Sequence, residues 1–145
     1  MNKLILLLKY FKNTEFIGKH YLEKMFKHAR KYDNMFCYHR ATYLYWKLKK
    51  EGLNPKILKY YLQNNNPEAP FSKQFKHISN KSYGFHFVVE LDGTILDPNT
   101  HLCKKIKFED YNKYCIEFYP IEDIVIETFS PMMSEEESNT FFQYY

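Results

Sequence analysis

The chain has 145 residues, of which 45% are hydrophobic and 19% are aromatic, so it has enough apolar surface to bury a core and does not have the composition of a disordered protein. Its formal net charge is only +4, and the sequence shows neither a dense basic stripe nor a recognisable nucleic-acid module, so nucleic-acid binding is not expected. No apolar run is long enough to cross a bilayer, and the length favours a single domain over residues 1–145.

The first part of the chain is predicted to be helical. Residues 3–30 carry apolar side chains at roughly helical spacing. After a break at 31–34, a further helix is predicted from about Cys37 to Glu51, and Gly52 follows it as a suitable C-terminal residue. The inward stripe of this helix is expected to contain Cys37, Ala41, Leu44 and Leu48.

The rest of the chain is predicted to be mostly strands. A strand is expected at residues 56–62, and the long polar loop 63–80 that follows is a candidate lid or specificity element. After a hairpin at 84–97, the expected elements are a short helical turn at 108–111, strands at 114–119 and 123–129, and a capped helix starting at Ser134. Helices followed by a mostly antiparallel sheet indicate an α+β fold.

The hairpin places two polar residues together. Asp92-Gly93 lies between alternating apolar residues, which favours a type I′ turn because both central positions need positive φ. With a two-residue loop, Val88 opposes Asp97, so His86 and Asp97 become diagonal neighbours on one sheet face, roughly 7 Å apart at the backbone. A carboxylate there can orient an imidazole and stabilise its protonated form. The opposite face is almost wholly apolar and is the expected core side, with Phe85, Phe87, Val89, Leu91 and Leu96.

The cysteines indicate a reducing environment. There are three, an odd number, which argues against a disulfide framework and for a cytoplasmic location. Cys37 opens a predicted helix, where free backbone N–H groups and the helix dipole favour a thiolate, whereas Cys103 and Cys115 lack that setting. A thiolate beside an imidazole held by a carboxylate is a nucleophile with its base and orienter, so Cys37, His86 and Asp97 form a candidate catalytic triad.

The order of these residues resembles a known family. Cys on a helix, His on a strand and Asp on the next strand resemble the papain-like superfamily and, in particular, its transglutaminase-like branch. Residues 37–57 resemble the nucleophile helix of that family with the Gly and short strand that follow it. Residues 84–98 resemble its His strand, turn and Asp-Pro. The resemblance implies a papain-like α+β fold, in which N-terminal helices, including the nucleophile helix, pack on a mostly antiparallel sheet.

The resemblance also implies a thiol enzyme that acts on an amide bond through an acyl-enzyme and needs no cofactor. Cys37 would be the nucleophile, His86 the general base and then the acid, and Asp97 the orienter. The substrate would be a protein or peptide, attacked at a peptide bond or a Gln side chain, so that protease, deamidase, transglutaminase and acyltransferase activities, and delivery into another cell as an effector, stay open. The backbone N–H of Cys37 is the expected oxyanion donor, with Asn34 or Tyr32 as a possible side-chain donor.

Two other classes remain open. The chain can be a catalytically silent interaction or immunity-type protein on the same scaffold, with its aromatic-rich surface as the partner site. The second, fainter class is a metal-binding domain, but no Cys-x-x-Cys or His-x-x-x-His spacing supports it, so no metal ligand is assigned. His39 lies two residues beyond Cys37 and points to a different side of the helix, so it is expected at the surface or in the helix start.

Overall fold

The fold is seen in a computed structural model, which describes residues 21–32 except 22 and 26, 36–63, 85–98, 106–118 (114–118 in their backbone) and 120–144. Its first helix, α1, comprises the described residues of 21–32. The other helices are α2 (Cys37–Lys50), α3 (Phe108–Phe118) and α4 (Glu135–Tyr144). The strands are β1 (Lys56–Leu62), β2 (Phe85–Leu91), β3 (Thr94–Leu96), β4 (Ile106–Lys107) and β5 (Ile124–Phe129).

The five strands form one antiparallel sheet in the order β4-β3-β2-β1-β5. The strand that carries His86, β2, is central, and His86 pairs with Tyr60 of β1. Together with the helices, this sheet confirms the α+β class and the antiparallel pairing. None of the helices in the described residues has the length and apolar character needed to cross a bilayer.

The helix that begins at Cys37 follows the predicted bounds. Phe36 precedes it, and its end is fixed by Gly52, whose φ of 82° is accessible to glycine at little cost. The amides of Gly52 and Leu53 donate to the carbonyl oxygens of Lys49 and Leu48, as in a Schellman ending. The predicted inward residues Cys37, Ala41, Leu44 and Leu48 are all buried.

The predicted hairpin is confirmed in its turn and register. Asp92 and Gly93 have φ values of 50° and 81°, the positive pair that a type I′ turn requires. Leu91 pairs with Thr94, as predicted, and the strand pairing that begins there places Asp97 beside β2. The carbonyl of Gly93 also accepts a hydrogen bond from the Phe108 amide at 2.8 Å, so the same turn anchors the start of α3.

Both faces of the sheet are covered. The predicted core face packs against α2, in a cluster of Cys37, Ala41, Leu44, Leu48, Leu53, Ile57, Phe87, Val89, Leu91 and Leu96. Phe85, which was also expected on the core side, is 44% exposed, because it is the first residue of β2 and lies at the end of the strand. The face that carries His86 was expected to be of mixed polarity, but α3 packs against it. A second apolar cluster lies there, formed by Leu58, Tyr60, Val88, Ile95 and Tyr111. The His86 face is therefore interior as well.

One element was predicted wrongly. Residues 114–118 of the strand expected at 114–119 belong instead to α3, which extends the predicted turn at 108–111 into an eleven-residue helix. Alternating Tyr, Ile and Phe favoured a strand, but Glu109 and Asp110 suit a helix N-terminus, and their charges complement its dipole. Residues 3–20, the loop at 64–80, Asn34 and Cys103 lie outside the described residues, so the predictions made for them stay predictions.

The chain ends in the expected capped helix. Ser134 Oγ accepts from the Glu137 amide at 3.1 Å, and Glu137 Oε1 accepts from the Ser134 amide at 3.3 Å, which is a capping box. The helix then lies against α2 through aromatic contacts, with the Phe142 ring 4.8 Å from that of Tyr43. Tyr38 OH accepts from the amides of Met132 and Met133, which fixes the segment before α4 to the start of α2.

Candidate active site

His86 and Asp97 are joined by a short hydrogen bond. His86 Nε2 lies 3.0 Å from Asp97 Oδ2, and the two residues are 4% and 0% exposed. The diagonal relation predicted from the hairpin thus brings both side chains into contact. Because a buried carboxylate is costly without a partner, this pair is an ion pair in which the ring carries the compensating charge.

A third side chain, Tyr111 from α3, completes this contact. Its hydroxyl donates to the same Asp97 oxygen, Oδ2, at 2.6 Å, and Tyr111 is itself 0% exposed. Asp97 Oδ2 therefore accepts two hydrogen bonds, one from His86 Nε2 and one from the Tyr111 hydroxyl.

Cys37 reaches the same imidazole from α2. Burial lowers the pKa of His86, but the charge of Asp97 and the hydrogen bonds with the side chains of Asp97 and Cys37 outweigh it and raise that pKa from 6.5 to about 10. Because Nε2 is taken up by Asp97, the second ring nitrogen, Nδ1, is the atom left for the thiol. The three residues proposed as a triad from the sequence are thus in contact in the order Cys37, His86, Asp97.

The thiol lies at the first residue of α2. The first N–H groups of an α-helix have no acceptor within the helix, and Phe36, the N-cap residue, makes no side-chain capping bond. These amides and the helix dipole favour negative charge at this end of the helix, such as an oxyanion formed next to Cys37. Cys37 is a free cysteine and only 4% exposed, so its side chain is almost wholly covered by neighbouring residues.

The predicted oxyanion side chains are not brought to the thiol by any described contact. Tyr32 is the last described residue of α1, and its ring lies 4.7 Å from that of His28 and 5.6 Å from that of Phe36, within an aromatic cluster. Asn34 lies outside the described residues. The role of either residue as an oxyanion donor stays a prediction.

The other histidine of α2 belongs to this aromatic cluster. His39 lies at the helix start, as predicted, but half-buried, with its ring stacked on Phe141 at 4.3 Å. Burial, and then the charge of Arg40, lower the pKa of His39. A neutral imidazole turned toward Phe141 has a structural role and is not part of the triad.

A buried arginine beside the site was not predicted. Arg40 is 0% exposed, and its Nη1 lies 3.0 Å from His28 Nδ1. Burial, and then the charge of Arg40, lower the pKa of His28 to about 4. This pair links α1 to α2.

Tyr111 was also missed, because residues 108–111 were predicted to form only a turn. The sequence does contain a signal for it. Phe108, Tyr111, Cys115 and Phe118 recur at spacings of three and four, as on one face of a helix. A helix over the whole segment would have placed Tyr111 on its inward face.

The donor set favours thiol chemistry. Within the part of the chain that the structure describes, no three His, Cys, Asp or Glu side chains come together as metal ligands. A thiol, an imidazole and a carboxylate in series can generate a nucleophile, move its proton and return that proton to a leaving group.

Comparisons with known proteins leave the site to be interpreted by its own geometry. No protein-family model matches this chain, and no curated protein or solved structure matches it.

Proposed function

We propose that the protein is a cysteine hydrolase or acyltransferase of papain-like, transglutaminase-like type that acts on an amide bond of a protein or peptide. The observation that carries the proposal is the contact of Cys37 with a buried imidazole that is bound to Asp97 at 3.0 Å. A structural histidine in a core needs hydrogen-bond partners for its ring nitrogens, but these partners need not be a thiol at a helix N-terminus and a buried carboxylate.

The first half of the proposed reaction forms an acyl-enzyme. In the reacting form the proton of the Cys37 thiol already resides on His86, and the sulfur attacks the carbonyl carbon of the amide as a thiolate. The oxyanion that forms is stabilised by the backbone N–H of Cys37 at the start of α2. As the C–N bond breaks, His86 passes the proton to the departing nitrogen, which leaves as an amine or, from a Gln side chain, as ammonia.

The second half regenerates the thiol. Water or an amine attacks the thioester carbonyl while His86 accepts the proton of the attacking group. The C–S bond then breaks, and the free Cys37 sulfur is left beside the protonated His86, as before the reaction. Throughout, Asp97 keeps Nε2 occupied, so Nδ1 stays turned toward the thiol. Whether the acceptor is water or an amine separates a protease or deamidase from a transglutaminase or other acyltransferase, and a reducing, cytoplasmic location would keep the thiol free.

Thiol reactivity tests the proposal. The native protein is treated with iodoacetamide at pH 6, where ordinary thiols are almost wholly protonated, and the three cysteines are compared by peptide mass spectrometry. Cys37 is expected to react at least about tenfold faster than Cys103 and Cys115, because His86 holds the proton that the thiol gives up.

The matched variants are His86→Gln and His39→Gln. The first removes the imidazole that touches the thiol, and the second removes another imidazole of the same helix start. Only His86→Gln is expected to bring the rate at Cys37 down to that of the other cysteines. Equal, slow labelling of all three cysteines in the folded protein would count against catalysis.

The second candidate function is a non-enzymatic interaction protein, and the 4% exposure of Cys37 favours it. Apolar side chains on the outside would then contact the partner, and Phe85, Ile121, Met132 and Tyr144 are 44–80% exposed. This function predicts an inert Cys37 and binding that survives Cys37→Ser. The enzyme predicts instead a covalent acyl adduct on Cys37 after incubation with peptide substrates, identified by its mass.

A further inference from the structure

We infer that Tyr111 is a positioning residue of this site, because its hydroxyl fixes the Asp97 oxygen that holds the His86 ring and shares the negative charge on that oxygen. The hydroxyl lies 2.6 Å from Oδ2, and the same oxygen lies 3.0 Å from His86 Nε2. Tyr111 and Asp97 are both 0% exposed, so the contact is a fixed part of the interior. The inference rests on the proposed function for its catalytic consequence.

The position of Tyr111 is set by contacts at two points of α3. One turn before it, the Phe108 amide is bound to the Gly93 carbonyl of the hairpin. The Tyr111 ring then meets the Tyr60 ring edge-on at 5.6 Å, and Tyr60 OH donates to Asn112 Oδ1 at 2.6 Å. The helix therefore cannot rotate the hydroxyl away from Asp97 without breaking both contacts.

The hydroxyl also limits how firmly the histidine keeps its proton. An O–H bond to a carboxylate is short and strong, and it disperses charge that would otherwise attract the imidazolium. The pair of His86 and Asp97 has a net charge of zero with its proton and −1 without it. A hydrogen-bond donor at Oδ2 stabilises the pair more when its net charge is −1 than when its net charge is zero. The Tyr111 hydroxyl therefore lowers the pH at which His86 loses its proton.

This matters because a general base must both accept and release a proton during one turnover. The pKa of His86 is already raised to about 10 with Tyr111 in place, burial opposing the rise and Asp97 and Cys37 causing it. If His86 held its proton more firmly, the ring would stay protonated and could not accept the proton of the water or amine that attacks the thioester.

Among the described residues, the titratable groups next to the His86 ring include Cys37 from α2 and Asp97 after β3, and Tyr111 from α3 is bound to Asp97. Tyr60 of β1 pairs with His86 in the sheet, but its hydroxyl donates to Asn112.

The test is a pH titration of His86 followed by NMR of ring-labelled histidine in the free protein. Tyr111→Phe keeps the aromatic ring and removes the hydroxyl, and the midpoint for His86 is expected to rise by roughly half a pH unit. Tyr60→Phe is the matched control, since it removes a buried hydroxyl of the same cluster that is bound to Asn112, and it is expected to leave the midpoint in place.

Two further variants make the result decisive. In an Asp97→Asn background, Tyr111→Phe should no longer shift the midpoint, because the hydroxyl acts through the carboxylate. Replacing Tyr111 by 3-fluorotyrosine, a stronger donor that keeps the hydroxyl and the packing, should lower the midpoint, so this variant serves also where Tyr111→Phe does not fold. An unchanged midpoint in the Tyr111 variants, or an equal shift with Tyr60→Phe, overturns the inference.

The titration needs no substrate and no reactive thiol. A shifted midpoint with an inert Cys37 would therefore reject the proposed function and leave the role of Tyr111 toward Asp97 intact. An unchanged midpoint with a reactive Cys37 would do the reverse.

Discussion

Two buried histidines of this protein are shifted in opposite directions by their neighbours. His86 is buried beside a carboxylate, and its pKa is raised to about 10 despite the desolvation of its charged form. His28 is buried beside a guanidinium, and its pKa is lowered to about 4 by burial and then by Arg40. At neutral pH the first ring is therefore charged and the second is neutral, although both have similar exposures, 4% and 7%.

The two shifts predict opposite changes of stability with pH. For His86 the folded state holds the proton more firmly than the unfolded state, so its contribution is complete below pH 6.5 and is lost as the pH rises through about 10. For His28 the unfolded state takes up the proton first, so stability is lost as the pH falls from 6.5 through about 4. Urea unfolding at pH values from 4 to 10 measures both effects.

Single variants show which histidine causes the loss of stability on each side of this pH profile. His86→Gln is expected to flatten the decline on the alkaline side only, and His28→Gln the decline on the acidic side only. If both variants kept the full alkaline decline, the charge pair of His86 with Asp97 would not be the source of that stability.

At the scale of elements, the hairpin turn controls the site. Its two-residue loop sets which residue of β3 lies beside β2, and a shift by one position would turn Asp97 to the other face of the sheet. The same turn also holds the first residue of α3 through the Gly93 carbonyl. The partner of His86 and the residue that holds this partner thus both depend on one turn.

Gly93→Ala tests this dependence. Gly93 has a φ of 81°, and a side chain there would meet no atom within 4 Å, so the cost comes from the backbone alone. We expect a loss of about 1–2 kcal/mol in the free energy of unfolding, since that is the cost of a left-handed conformation for an L-residue with a side chain. Urea denaturation measures it.

Gly93→Asn is the matched control, because asparagine tolerates this conformation better and should cost less than alanine. Alanine and asparagine costing the same would mean that φ is not the cause. Iodoacetamide labelling of the folded Gly93→Ala protein should in addition show a slower Cys37, if the register at Asp97 is loosened.

At the scale of the whole molecule, the sheet separates two apolar layers. The layer on α2 contains Cys37, and the layer under α3 contains Tyr111, which binds Asp97. Because His86 is only the second residue of β2, its ring lies near the strand end, where side chains from both layers can meet. Displacing either layer should therefore disturb the triad.

Val88→Ala and Val89→Ala test whether both layers are cores. These neighbours point to opposite faces of β2, and each is 0% exposed. Each substitution is expected to reduce the free energy of unfolding by about 2 kcal/mol, from lost burial and the cavity left behind. A cost at Val89 alone would mean that the His86 face is not a packed interior.

The sequence alone determined the parts of this protein that depend on neighbouring residues. The turn at Asp92-Gly93, the helix that starts at Cys37 and the relation of His86 to Asp97 were predicted, because φ preferences and residue periodicity act over a few positions. Only the tertiary structure decided the rest: that Cys37 comes within hydrogen-bonding reach of His86, that α3 buries the face carrying this pair, and that Tyr111 binds Asp97. Those contacts join segments whose meeting depends on how the layers pack, and local patterns carry no information about packing between distant elements.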